Sequence, residues 1–211
     1  MNLRERRLSV LALSWLLVGA VSAVADGGGT VDAGRVAAPA TPAEARAIAD
    51  KVAAALAAAL LERLQAAIGQ GGVEAGARAC AEVAQSVTSQ VGAPHGAVAR
   101  RTALRLRNPR NRPDDFEKAW LLAQDRRVKE GKEPQPLYAE VDAGPGRREL
   151  RHLRPILFPG GICSQCHGPR EDIPAEVRAF LDERYPGDEA TGFVAGDLRG
   201  AISVRVPVRG D

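Results

Sequence analysis

Two cysteines separated by two residues, with a histidine directly after them, stand at Cys163-Ser164-Gln165-Cys166-His167. This is the attachment pattern of c-type haem. Thiols at that spacing can reach the two vinyl groups of one porphyrin, and the adjoining imidazole is then held under the iron as its proximal ligand. Two other chemistries use similar residues. A zinc site needs further ligands, and Cys80 with His95 or His152 would have to supply them from far along the chain. A thioredoxin-type dithiol expects a helix N-terminus in a βαβ setting, whereas Gly168-Pro169 follows here. One covalent haem c is the reading the motif favours.

The other side of the iron is less defined. The sole methionine is Met1, which lies in a segment that reads as cleaved, so methionine ligation is excluded. The candidates are Cys80, His95, His152, water or nothing. His95 sits in a Pro-His-Gly stretch and His152 in an arginine-rich strand; a surface or structural role suits either. Cys80 has a bland reading too, because free cysteine is a common and inert core residue.

The chain begins with Arg4, Arg6 and Arg7, then an apolar run from Leu8 to Val24, then Ala23-Val24-Ala25 in the small-x-small form of a cleavage site. Residues 1–25 read as a secretory signal peptide, which places the mature protein in the periplasm. The alternative is an uncleaved membrane anchor, without which no membrane span is expected. The full sequence has 29 Lys and Arg against 26 Asp and Glu, a net charge of +3. The signal segment carries a net +2 of this, leaving +1 on the remainder. Such a chain has no electrostatic case for nucleic-acid binding.

Residues 26–40 are rich in Gly and Ala and read as a flexible linker; residues 41–211 read as one domain. Thr41-Pro42-Ala43-Glu44 is a capping box with proline at the first helical position. Ile48, Val52, Leu56, Leu60, Leu64 and Ile68 recur every four residues, with a stop at Gly69. Gly71-Gly72 precedes a second helix whose stripe is Val73, Ala77, Cys80, Ala84, Val87 and Val91. Thr102 to Leu106 reads as a short extended piece, and a third helix starts at Asp114. Period-two patterns at Leu137–Val141 and Arg148–Phe158 flank Gly144-Pro145-Gly146 as a hairpin. The motif follows on a loop, then a short helix over Pro174–Arg184. A final strand region spans Phe193–Val208, broken at Gly200. Helices followed by a small antiparallel sheet make the fold α+β. Cys80 gains weight here. It lies on a core-facing stripe, it is the unexplained odd cysteine, and a haem in a chain this size must sit in the core that stripe faces.

These residues resemble the c-type haem proteins with a PAS-like fold, a family first catalogued as a domain of unknown function. The resemblance runs over about residues 45 to 208. It is carried by Cys80, by Arg101-Thr102-Ala103-Leu104-Arg105-Leu106-Arg107-Asn108-Pro109 with Asn111 and Glu117, and by Cys163-Ser164-Gln165-Cys166-His167-Gly168. Tyr185-Pro186, Gly192-Phe193, Gly196-Asp197 and Gly200-Ala201-Ile202-Ser203-Val204 complete it. Ala103 departs from the small hydroxyl residue expected there. The resemblance implies helices packed on a PAS-like antiparallel sheet, with iron held by His167 and the Cys80 thiolate.

Haem propionates favour guanidinium partners, and Arg101 and Arg107 are the candidates, ahead of Arg105. The function expected is redox or diatomic-gas sensing through a signalling partner. The alternative is low-potential electron transfer to a redox partner. Peroxidase or nitrogen-oxide catalysis is disfavoured, since a resting Cys80 ligand closes the distal site, and no residue is assigned as catalytic.

Overall fold

The structure is a computed structural model that describes residues 40–209, apart from the side chains of residues 83–85. The expected signal peptide, the linker up to residue 39, and the side chain of Ala84 lie outside the described residues. Ala40, the last residue of the expected linker, is already part of the sheet's surroundings. Ala40 bridges to Val208 in parallel fashion and is buried.

Helix α1 runs Pro42–Gly92. Its start is the expected capping box: the Glu44 amide donates to Thr41 Oγ1 at 3.3 Å, and the Thr41 amide donates to Glu44 Oε2 at 2.8 Å. The helix passes the expected stop at Gly69 and breaks at Gly71 (φ −150°, ψ 23°) and Gly72 (φ 73°, ψ −169°). Two limbs result, and the second folds back along the first. Gly76 sits so close to Leu64 and Ile68 that a Cβ there would lie 2.6 Å from Ile68 Cγ1. By length and composition the stretch Pro42–Glu82 is apolar enough to cross a membrane.

The other elements are β1 (Val98–Thr102), α2 (Asp115–Lys129), β2 (Leu137–Asp142), β3 (Arg148–Leu157), α3 (Ser164–His167), α4 (Ala175–Arg184) and β4 (Leu198–Val208). The four strands form one antiparallel sheet in the order β1-β4-β3-β2. The fold is therefore α+β, as the sequence implies, with one difference in order. Strand β1 comes between α1 and α2 and ends where the extended piece was expected to begin. The β2–β3 hairpin turns through Gly144 (φ 108°) and Gly146 (φ 66°), as the Gly-Pro-Gly signal requires.

Alternation along the strands assigns each face a helical partner. Leu150, Ile202, Val204, Val206 and Val208 pack against Ala45, Ala49, Val52, Ala53 and Leu56 of the first limb and Val87 of the second. Leu153, Leu198 and Ala201 face Trp120 and Leu121 of α2. Each fully buried leucine contributes about 1.5–3 kcal/mol of transfer free energy. Small alanines on the first limb let the helix lie close to the β-branched face of β4. Helix α4 docks through Val177, Leu181 and neighbouring Ile173 onto Ala77 of the second limb.

Candidate haem-binding site

The motif is not a loop. Gly160 (φ 73°) and Gly161 (φ 59°) turn the chain into a 3-10 turn over Gly161–Cys163, which runs on into the single turn of α3. Helical spacing places Cys163, Cys166 and His167 at i, i+3 and i+4, hence on one side. The turn closes with the Gly168 amide donating to the Ser164 carbonyl at 2.9 Å. A Cβ on Gly168 would meet that same oxygen at 2.7 Å.

All three residues line one cleft that is partly open to solvent. The second limb of α1 brings Cys80 to the same cleft, and Leu64, Ile68, Val73 and Phe158 supply apolar wall. Leu157 and Ile162, both lining it, are 39% and 45% exposed, so the cleft presents apolar surface that an apolar group would cover. Among the described residues no group of three or more His, Cys, Asp or Glu side chains converges as a bare metal site. Thiols and imidazole spread around an apolar cleft fit a macrocycle better than a naked ion.

The three cysteines are unpaired. Cys80 is exposed, and the surface it exposes borders the cleft. Burial among protein atoms pushes its thiol pKa up, while the Arg101 and Arg107 charges pull it down. The rival ligands are elsewhere. His95 ends a 3-10 turn after α1 and does not line the cleft. His152 is buried at 1% exposure on β3, stacked on Tyr138 at 4.3 Å, with Nδ1 3.0 Å from the Leu137 carbonyl. Its Nε2 is 3.7 Å from Asp50 and makes no hydrogen bond. Of Cys80, His95 and His152, only Cys80 shares the cleft with His167.

His167 is held in one orientation. Its Nδ1 lies 2.7 Å from the Ala190 carbonyl, so the ring donates from Nδ1 and keeps the Nε2 lone pair free. Phe158 and Phe193 meet the ring edge-on, at centroid distances of 6.5 Å. Burial, then the charges of Arg199 and Arg107, hold its pKa well below the usual histidine value. The neutral imidazole that results is the form that binds iron.

The arginine-rich run 105–107 explains why Ala190 is where it is. Arg105 Nε donates to the Glu189 carbonyl at 3.1 Å and Nη2 to the Thr191 carbonyl. The Glu189 amide donates to the Leu106 carbonyl at 2.7 Å. Arg107 pairs with Asp188 at 2.8 Å and donates to the carbonyls of Cys166 at 2.5 Å and Ala190 at 3.3 Å. The run therefore clamps segment 188–191 to the motif. Arg107 lines the cleft, with its guanidinium already engaged by protein.

Arg101 and Arg199 differ. Both line the cleft, and neither has a carboxylate partner among the described residues. Arg199 donates to the Arg105 carbonyl at 3.5 Å and lies 5.1 Å from the Phe193 ring centroid. Burial and the neighbouring Arg107 and Arg101 charges lower its pKa to about 10. A β-bulge puts it there: Ile156 pairs with Gly200 and Leu157 with Leu198, leaving Arg199 as the extra residue. Leu198 then turns to the α2 side while Arg199 reaches the cleft. Sequence reading misses Arg199, Asp188 and the Ala190 carbonyl. A valine-rich alternation announces β4, but no residue type announces where its parity breaks.

A family profile described as Tll0287-like matches residues 35–207. Among solved structures, that of the cyanobacterial heme-protein Tll0287 matches with 27% identity and a TM-score of 0.51, covering 74% of this chain and 95% of that one. Comparison with curated proteins gives no match.

Proposed function

The chain belongs to the Tll0287-like family, and from that premise we propose that it is an exported mono-haem c-type protein. Cys163 and Cys166 carry the thioethers, and His167 and Cys80 hold the iron from its two sides on a PAS-like scaffold. The observation that carries this reading is that Cys80, alone among the possible second ligands, lines the cleft with Cys163, Cys166 and His167. The heme-protein identity of the matched relative Tll0287 supports haem as the group. When bound, the iron supplies one-electron chemistry at a potential lowered by the anionic sulfur.

The role that fits best is periplasmic redox or diatomic-gas sensing. Cys80 sits on a limb joined to the rest of α1 only through the Gly71–Gly72 break. Loss of the sulfur ligand would thus be felt by a separate helical element, which a signalling partner could read. Low-potential electron transfer to a redox partner is the second reading, favoured by the rigid anchoring of His167.

The test is the spectrum of the protein produced with a haem-attachment system. The ferric wild type is expected to show low-spin thiolate features, and Cys80→Ser to lose them while the haem stays covalently bound. An unchanged spectrum would remove Cys80 from the iron. Carbon monoxide added to the ferrous protein then separates the two roles: binding with loss of the sulfur supports sensing, and an inert six-coordinate iron supports transfer.

A further inference from the structure

The cleft contains more positive charge than the protein itself answers. Four arginines border or approach it: Arg101, Arg105, Arg107 and Arg199. Arg105 is spent on the carbonyls of Glu189 and Thr191 and the Phe193 ring. Arg107 is spent on Asp188 and two carbonyls. Arg199 keeps only a 3.5 Å contact to the Arg105 carbonyl, the Phe193 ring and the influence of the Asp188 charge. Arg101 and Arg199 thus face the cleft without an ion-pair partner among the described residues, which becomes costly once a bound group excludes water from it unless that group brings anions.

The bound group brings two anions. Ferric iron, a porphyrin dianion and one thiolate sum to no net charge, so the two propionates are what the cleft has to neutralise. Vinyls and propionates occupy opposite edges of the macrocycle. Arg107, donating to the carbonyl of Cys166 itself, is at the thioether edge and is badly placed for a propionate. Arg101 and Arg199 approach from β1 and β4, which are hydrogen-bonded neighbours in the sheet with Arg101 opposite Ile202. The bulge between Ile156 and Leu157 turns Arg199 to the cleft side.

Resting on the haem reading above, we propose that Arg101 and Arg199 seat the two haem propionates, one each, and that the bulge in β4 exists to deliver Arg199. Arg107 is then a brace for the motif and not a propionate partner. Guanidinium suits this role because its paired N–H groups match a carboxylate.

Resonance Raman spectra of the ferric holo-protein test the assignment, because the propionate-bending bands respond to hydrogen bonds on the carboxylates. Arg199→Gln is expected to shift one propionate band to lower frequency and Arg101→Gln the other, with the axial-ligand bands unmoved and the midpoint potential lowered by loss of a cation. Arg199→Lys is expected to recover the potential and only part of the band shift. Both bands unmoved in haem-loaded Arg199→Gln and Arg101→Gln would overturn the proposal. Where a variant does not load, the wild type decides. Its bands are expected to keep the ionised form down to about pH 5, held there by the guanidiniums, and a band titrating between about pH 5 and 7 would overturn it. Absence of covalent haem from the wild type, read by mass before any spectrum, would instead overturn the underlying haem reading and this assignment with it.

Discussion

Arg107 joins Asp188, Cys166 and Ala190 in one network, and Asp188 is only 4% exposed in that pairing. Truncating the arginine would leave a buried carboxylate without its counter-charge, and a broken buried pair of this kind costs about 3–5 kcal/mol. Arg107→Ala is expected to lose that much in urea unfolding, and Arg107→Lys to recover only part, since one ammonium cannot match a planar fork. His152 gives a second prediction at this scale. Burial lowers its pKa in the folded state, so the unfolded chain binds the proton more readily. The stability tied to His152 is therefore complete above its unfolded pKa of about 6.5 and is lost as the pH falls below that value. His152→Gln should flatten this part of the stability–pH curve; an unaltered slope would place the titration elsewhere. The motif cysteines and histidine are legible from spacing alone. Asp188 and Ala190 are not, because one acts through a long-range ion pair and the other through a backbone carbonyl that any residue could supply.

Among the elements, β4 carries the site's least obvious dependence on backbone geometry. Gly200 has φ 153°, and a Cβ there would lie 2.4 Å from the Thr102 carbonyl of β1. Gly200→Ala should destabilise the fold by about 2 kcal/mol or more through strain and displacement of the edge strand, read from the shift in denaturation midpoint. The start of α1 is legible because it depends on local chemistry, Thr41 capping with Glu44 as their spacing demands; α2 starts at the expected place, and the structure adds a second capping box there, between Asp114 and Glu117. Thr41→Ala should cost about 1 kcal/mol, measured in the same way. Strand β1 is not legible in the sequence because its residues, Val-Ala-Arg-Arg-Thr, show no clean alternation. Its course is fixed by pairing with β4 across a separation that no local pattern encodes. The one-turn helix of the motif is hidden for a related reason, being too short to show a period of its own.

At the scale of the molecule, two apolar clusters line opposite faces of the sheet, while the cleft opens between the α1 hairpin, the sheet and the motif. A group that fills the cleft binds the native chain and not the unfolded one, so it stabilises by mass action or, once covalent, by permanent occupancy. The double variant Cys163→Ala/Cys166→Ala is expected to melt at least about 5 °C below the haem-loaded protein, followed by circular dichroism. Equal melting temperatures would mean that the α1 hairpin and the motif hold each other without the cofactor.

The clamp formed by Arg105 and Arg107 spans 81 to 86 positions of sequence. Arg105 and Arg107 lie before the motif in the chain, and the segment they hold lies after it, with Ala190 23 positions beyond His167. The clamp therefore closes only when the chain has folded across both sides of the motif. Until then the thiols are open while the imidazole has no carbonyl to orient it, so an unfolded chain offers its two attachment points before it offers an aligned histidine.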